Sequence, residues 1–195
     1  MIKAIETQYK GYKFRSRLEA RWAVFFDAMN IEYQYEVEGF DLDGVWYLPD
    51  FYLPRFNCWV EVKGNTKSFD EDMQKLTNLC YANNAIGLFL GGDPVDSFDD
   101  TESFKLICGD ITDSSGGECE ERFCFCHNNG EPMLLPESVG DGMRGRDYFT
   151  VNLDDVYGII DMPYTRVAPE GITMSMANKA AIKARQARFE HGECP

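Results

Sequence analysis

Leu18, Trp22, Phe25 and Met29 recur at helical spacing, with Glu19, Ala23 and Phe26 in a second row beside them. That period predicts a helix over residues 16–29 with a broad apolar face. Ser16, followed three residues later by Glu19, is the capping-box pattern that starts such a helix. Glu19 falls at the edge of the buried face, so its carboxylate is expected at the margin of the core. A period of two then takes over. Tyr33 and Tyr35 alternate with polar residues and predict a strand over 32–37. An Asp43-Gly44 turn signal leads into residues 45–53, rich in β-branched and aromatic side chains, which predict a second strand. Pro49 implies a bulge or a broken ladder inside it. Residues 57–63 predict a third strand, with Cys58, Val60 and Val62 on one face and Asn57, Trp59, Glu61 and Lys63 on the other. Phe69, Met73, Leu76 and Cys80 return to helical spacing over 69–82. The continuous apolar run 85–90 predicts a strand buried on both faces.

Ahead of the first helix, the aromatics between Tyr9 and Phe14 predict a short strand or hairpin. The order from Ser16 to Leu90 is therefore α-β-β-β-α-β. It predicts an α/β fold class in which a mixed central sheet is flanked by helices. Further on, residues 104–108, 122–126 and 148–151 predict short strands. Residues 173–191 predict an Ala-rich basic helix whose apolar face is thin. The expected organisation is a core over 1–92, an acidic, Cys-containing β extension over 93–170 packed on or continuing that core, and a basic C-terminal helix over 171–195.

Charge complicates the choice of partner. The net charge of −14 argues, taken whole, against nucleic-acid binding. Its distribution is uneven: residues 1–64 are nearly neutral, 65–165 hold most of the acid, and 166–195 are weakly basic. The acidic stretch 93–121 suits a basic protein partner. No apolar run approaches the ~20 residues of a membrane span, and the first residues lack the apolar region of a signal peptide. A cytoplasmic protein without membrane association is expected. Seven cysteines, an odd number, fit reduced thiols or a metal site better than a disulfide framework. Cys108, Cys119, Cys124, Cys126 and His127 are candidate ligands of a structural zinc. The usual Cys-x2-Cys knuckle is missing, and buried or idle thiols explain the same residues.

The candidate chemistry lies between Arg15 and Gly64. Asp50 and Glu61 stand eleven residues apart on strands expected to be antiparallel neighbours. Glu61 and Lys63 share a strand face, and Glu19 approaches from the helix that covers the sheet. Magnesium and similar hard cations take oxygen ligands and keep several waters, so a few carboxylates suffice. Such an ion neutralises developing charge and acidifies water during phosphodiester hydrolysis. A nearby lysine positions or deprotonates the attacking water, or stabilises the charge on phosphorus. Arg15, Arg17 and Arg21 are candidate phosphate contacts; a solvated helix face accounts for them equally well.

Pro49-Asp50 followed by Glu61-Val62-Lys63, with Glu19 on the first helix, resembles the PD-(D/E)XK nuclease superfamily, the restriction-endonuclease-like fold. The element order matches that family core over roughly residues 12–90, and the Ser16-x-x-Glu19 helix looks like a subset from phages and mobile elements. The resemblance implies a Mg2+- or Mn2+-dependent deoxyribonuclease, of endonuclease type, acting on double-stranded or branched DNA. It implies a bacterial host cytoplasm as its location. Asp50, Glu61 and the Val62 carbonyl would then bind the metal, and Lys63 would be the catalytic lysine. Glu19 would act through a bound water or on a second metal. Gln74 and Tyr81 are similar to a Gln-x-x-x-Tyr motif of some exonuclease members, but their spacing departs from it and no role is carried over. The alternative is a catalytically inactive nuclease fold serving as a binding module, with its acidic surface contacting a basic protein or mimicking DNA.

Overall fold

The structure, a computed structural model, describes residues 4–64, 69–94, 104–108, 122–128, 131–138, 147–148, 172–173 and 175–189. The strands are β1 (Thr7–Tyr9), β2 (Tyr12–Phe14), β3 (Gln34–Tyr35), β4 (Phe40–Leu42), β5 (Val45–Tyr47), β6 (Phe51–Leu53), β7 (Cys58–Lys63), β8 (Ile86–Gly91) and β9 (Phe104–Cys108). They continue with β10 (Arg122–Asn128), β11 (Glu131–Ser138), β12 (Asp147–Tyr148) and β13 (Ile172–Thr173). The helices are α1 (Arg17–Ala28), α2 (Phe69–Asn83) and α3 (Ser175–Gln186). The chain is thus a mixed α/β protein. No described helix is long and apolar enough to cross a membrane.

One mixed sheet organises the described residues, in the order β3-β6-β7-β8-β9. β7 runs parallel to β8 and antiparallel to β6, and β9 returns antiparallel to β8. The alternation along β7 sorts the two faces as expected. Cys58, Val60 and Val62 join Trp22, Phe26, Phe51 and Leu88 under α1. Trp59 faces the other side, with Tyr47, Leu76, Leu79 and Phe89 under α2. β8 is covered on both faces, which explains its unbroken apolar sequence. β9 extends this sheet across the boundary expected at residue 92.

Three expected elements differ in extent. The strand expected over 45–53 is two strands. β5 pairs with β4 in a separate hairpin, and only β6 enters the main sheet. Pro49 is the reason: it has no N–H to offer a ladder. The strand expected over 32–37 narrows to Gln34–Tyr35, because Glu36 turns into the left-handed region at φ 44°. The helix expected from 173 begins at Ser175, since Thr173 pairs with His127. Its alanine face is thin but well used: Ala177, Ala180, Ala181 and Ala184 are all buried with α1 in the larger core. Small side chains let two helices approach closely and bury backbone as well as methyl groups. Two turns follow ordinary hairpin chemistry. Lys10-Gly11 and Asp43-Gly44 both take positive φ at each central residue, as a two-residue hairpin turn demands.

Strand β11 was not expected, because Pro132 and Pro136 lie within it. In the register with β10 they stand opposite His127 and Phe123. On its other side β11 pairs with β12 only at Glu137 and Ser138. The strand expected at 148–151 is present as Asp147–Tyr148, with 149–151 outside the described residues. Most of the acidic stretch 93–121, the Gly-rich residues 140–145, Cys119 and His191 also lie outside them.

Phe51 is the hinge between sheet and helix. Its ring meets Phe14, Phe26, Tyr33 and Tyr35 and is almost fully buried. Phe51→Ala is expected to lower the unfolding free energy by about 3–5 kcal/mol, the range for a buried aromatic truncated to a cavity. Trp46→Ala, at a side chain 71% exposed, should cost far less. Urea denaturation of the two variants beside the wild type checks the contrast.

Candidate functional site

The β6–β7 ladder starts at Phe51 opposite Val60. Extending that register sets Asp50 opposite Glu61 and Pro49 opposite Val62. Backbone polar groups alternate between the two neighbours of a strand. The Val62 N–H is turned to the β6 side, where it donates to Asp50 Oδ2 at 2.8 Å. The Val62 carbonyl belongs to that same side, and Pro49 has no N–H to give it. The proline that ends the ladder thus leaves a carboxylate and a backbone carbonyl at the gap.

Asp50 and Glu61 are both buried. Arg15 donates from Nη2 to Asp50 Oδ1 at 2.9 Å and reaches Glu36 Oε1 with Nε at 2.5 Å. Lys63 Nζ lies 2.6 Å from Glu61 Oε1 and 3.2 Å from Asp72 Oδ2. The Tyr47 hydroxyl donates to Glu61 Oε2 at 2.9 Å. Burial, followed by the charges of Glu61 and Glu19, pushes Asp50 well above the usual carboxylate range; the Val62 N–H and Arg15 oppose that. Burial also raises Glu61, against the pull of Lys63 and Tyr47. Burial works against the Lys63 charge, but Glu61 and Asp72 outweigh it and raise the ammonium pKa. Tyr47 is pushed up by burial and by Glu61, so it remains a hydroxyl donor. For Asp72 burial is outweighed by Lys63 and Lys75, and its pKa is lowered.

Glu19 is spent on its own helix start. Ser16 Oγ accepts from the Glu19 N–H at 3.2 Å and donates to Glu19 Oε1 at 2.6 Å. Glu19 Oε2 accepts from the Arg15 N–H at 3.0 Å and from the Tyr35 hydroxyl at 2.6 Å. Its charge still reaches Asp50. The expected phosphate contacts are directed inward in two cases. Arg15 holds Asp50, and Arg21 donates from Nη1 to both oxygens of Asp93, at 2.7 and 2.8 Å. Arg17 is half-buried on α1. Gln74 bonds Asn78 and is exposed, as is Tyr81. Of the candidate zinc ligands, Cys108 lies on β9, and Cys124, Cys126 and His127 lie on the neighbouring β10.

Two participants were not visible in the sequence. Tyr47 belongs to a hairpin that does not pair with β7, so no register tied it to Glu61. Asp72 sits three residues before Lys75 and reads as a surface helix pair; only the seating of α2 on the sheet brings it to Lys63.

Among the described residues no three His, Cys, Asp or Glu side chains form a complete ligand set. A divalent ion here would rest on Asp50, Glu61, the Val62 carbonyl and water, a donor set of hard oxygens that suits magnesium or manganese. The raised pKa values of both carboxylates mark a place where added positive charge is favourable.

Because Asp50 and Glu61 hold protons more tightly when folded, the folded state binds more protons than the unfolded state above the ordinary carboxylate range. Stability therefore falls as pH rises through that window. Asp50→Asn keeps an acceptor for the Val62 N–H, and the half-exposed Arg15 keeps its pairing with Glu36. This variant is expected to be more stable than wild type at neutral pH, on the order of 1 kcal/mol, with a flatter dependence on pH. Magnesium should raise the wild-type Tm and leave that of Asp50→Asn nearly unmoved. Thermal melts across pH, with and without the ion, check all three outcomes. Comparison of the chain with family models, with curated proteins and with solved structures finds no match, so what this site does is argued from its own side chains.

Proposed function

We propose that residues 12–91 form a restriction-endonuclease-like core and that the protein is a metal-dependent DNA nuclease. The observation that carries this is the convergence of Asp50, Glu61, Lys63 and a Val62 carbonyl left without a ladder partner at Pro49. A buried pair of repelling carboxylates costs stability, and a chain has no folding need of it. The residues also fit the chemistry. A divalent ion held by Asp50, Glu61 and the Val62 carbonyl would neutralise phosphate charge and acidify a water. Lys63, held protonated by its acidic neighbours, acts as a donor and directs an N–H at a phosphate oxygen or at the attacking water. Tyr47 fixes the Glu61 carboxylate from the opposite side and does not ionise. Hydrolysis would then be an in-line attack of water on phosphorus that expels one ester oxygen. Glu19 supports the site by fixing the start of α1, whose preceding residue Arg15 reaches Asp50.

The other reading, an inactive nuclease fold that binds a basic protein or mimics DNA, is favoured by one observation, the net charge of −14. An inactive fold gives no reason for Asp50, Glu61 and Lys63 to stand together. A structural zinc on the cysteine-bearing strands is a separate proposal, checked by metal analysis of protein purified without added zinc.

The deciding assay incubates the protein with supercoiled, linear and branched DNA in magnesium or manganese, beside Asp50→Ala and Lys63→Ala. Cleavage by the wild type is expected, with each variant slower by about 10²-fold or more. No cleavage of any substrate favours the binding module. Cleavage that survives both substitutions removes the site assignment.

A further inference from the structure

We infer that Asp72, on α2, is a positioning residue that aims the Lys63 ammonium at the scissile phosphate. The inference rests on the nuclease reading and extends it to a helix that the three-residue sequence motif does not include.

An ammonium group carries three protons in fixed tetrahedral directions. In Lys63 one points to Glu61 Oε1, at 2.6 Å, and one to Asp72 Oδ2, at 3.2 Å. Two acceptors on different elements fix the orientation of the third proton, which one acceptor would leave free to rotate. Glu61 alone cannot do this. It shares the β7 face with Lys63, two residues away, so a lysine paired only with it keeps the freedom of a long flexible stem. Asp72 approaches from α2, across the face of the sheet, and supplies the second point of restraint.

Asp72 is itself restrained. Its Oδ1 accepts from Lys75 Nζ at 3.1 Å, one turn along the same helix, while Oδ2 meets Lys63. Each carboxylate oxygen therefore has a separate cation, and the group cannot rotate without losing both. The helix beneath is firmly seated: Leu76, Leu79 and Cys80 are buried against Trp59 and Phe89 of the sheet. Glu61, Lys63, Asp72 and Lys75 make an alternating chain of charges from the strand to the helix. Its inner end is the candidate metal ligand, and its outer end is half-exposed.

The test compares Asp72→Ala, Asp72→Asn and Asp72→Glu in wild-type and Lys63→Ala backgrounds. Single-turnover cleavage in magnesium gives the rate, and fluorescence anisotropy of labelled DNA in calcium gives the affinity. Asp72→Ala should slow cleavage about tenfold, the scale of a misdirected catalytic group, with DNA affinity unchanged. Asp72→Glu should restore part of the rate. In the Lys63→Ala background the same substitutions should have no further effect on the residual rate, since Asp72 acts through Lys63. Equal losses in both backgrounds, or a rate unaffected by Asp72→Ala, overturn the positioning role while leaving the nuclease reading intact. If Asp72→Ala fails to fold, Asp72→Asn carries the same comparison, because it keeps the side-chain volume and removes the charge. A wild type that cleaves no DNA overturns the nuclease reading and the positioning role with it.

Discussion

Two carboxylates buried side by side repel each other, and the charges around Asp50 and Glu61 hold that repulsion in check. Burial opposes ionisation of both, the charge of Glu61 adds to the cost at Asp50, and that of Asp72 adds to the cost at Glu61. Arg15 comes to Asp50 from the start of α1, and Lys63 comes to Glu61 from the same strand. The two cations come from different parts of the chain, one before α1 and one on β7. The closing of the helix start, the packing of α1 on the sheet and the seating of α2 are therefore all felt at the same pair of acids.

The point where fold becomes site is Pro49. A strand running unbroken from Val45 to Leu53 would have paired its backbone along the full length of β7. Proline removes a donor opposite Val62 and ends the ladder at Phe51. Asp50 then uses its carboxylate where a backbone carbonyl would have stood, accepting the Val62 N–H. The residues before the break peel away into the β4–β5 hairpin and return Tyr47 to the other side of Glu61. A single missing N–H thus frees a carbonyl, orients one acid and delivers the donor that fixes the second.

Much of this was legible in the chain because it is local. The period of Leu18, Trp22, Phe25 and Met29 predicts α1, and the alternation in residues 57–63 puts Glu61 and Lys63 on one face. Ser16 and Glu19 announced the cap that the structure contains. What was illegible depends on how separate elements dock. Asp72 meets Lys63 because α2 lies against β7, and no periodicity within α2 encodes that. Arg15 and Arg21 read equally well as phosphate contacts or as solvated residues; their partners Asp50 and Asp93 are distant in sequence. Strand β11 was hidden because its prolines argue locally against a strand, whereas its pairing with β10 is a tertiary fact. The alanine face of α3 reads as weak on hydropathy, yet α1 supplies a matching surface.

The net charge of −14 bears on DNA less directly than the charges close to the site. At physiological salt the screening length is about 8 Å, so the charges within that distance of Lys63 weigh most there. Near the candidate centre stand Glu19, Glu36, Asp50, Glu61 and Asp72, against Arg15, Lys63 and Lys75. Carboxylates outnumber cationic heads, so the local charge is negative. A phosphate approaching that place alone meets repulsion. On the proposed reading, a divalent ion held there would reverse the sign of the field that a phosphate meets. If the proposed nuclease reading holds, the same local excess of acid that disfavours bare DNA would favour a cation, and an acidic chain and a phosphodiester substrate would be compatible through the ion that joins them.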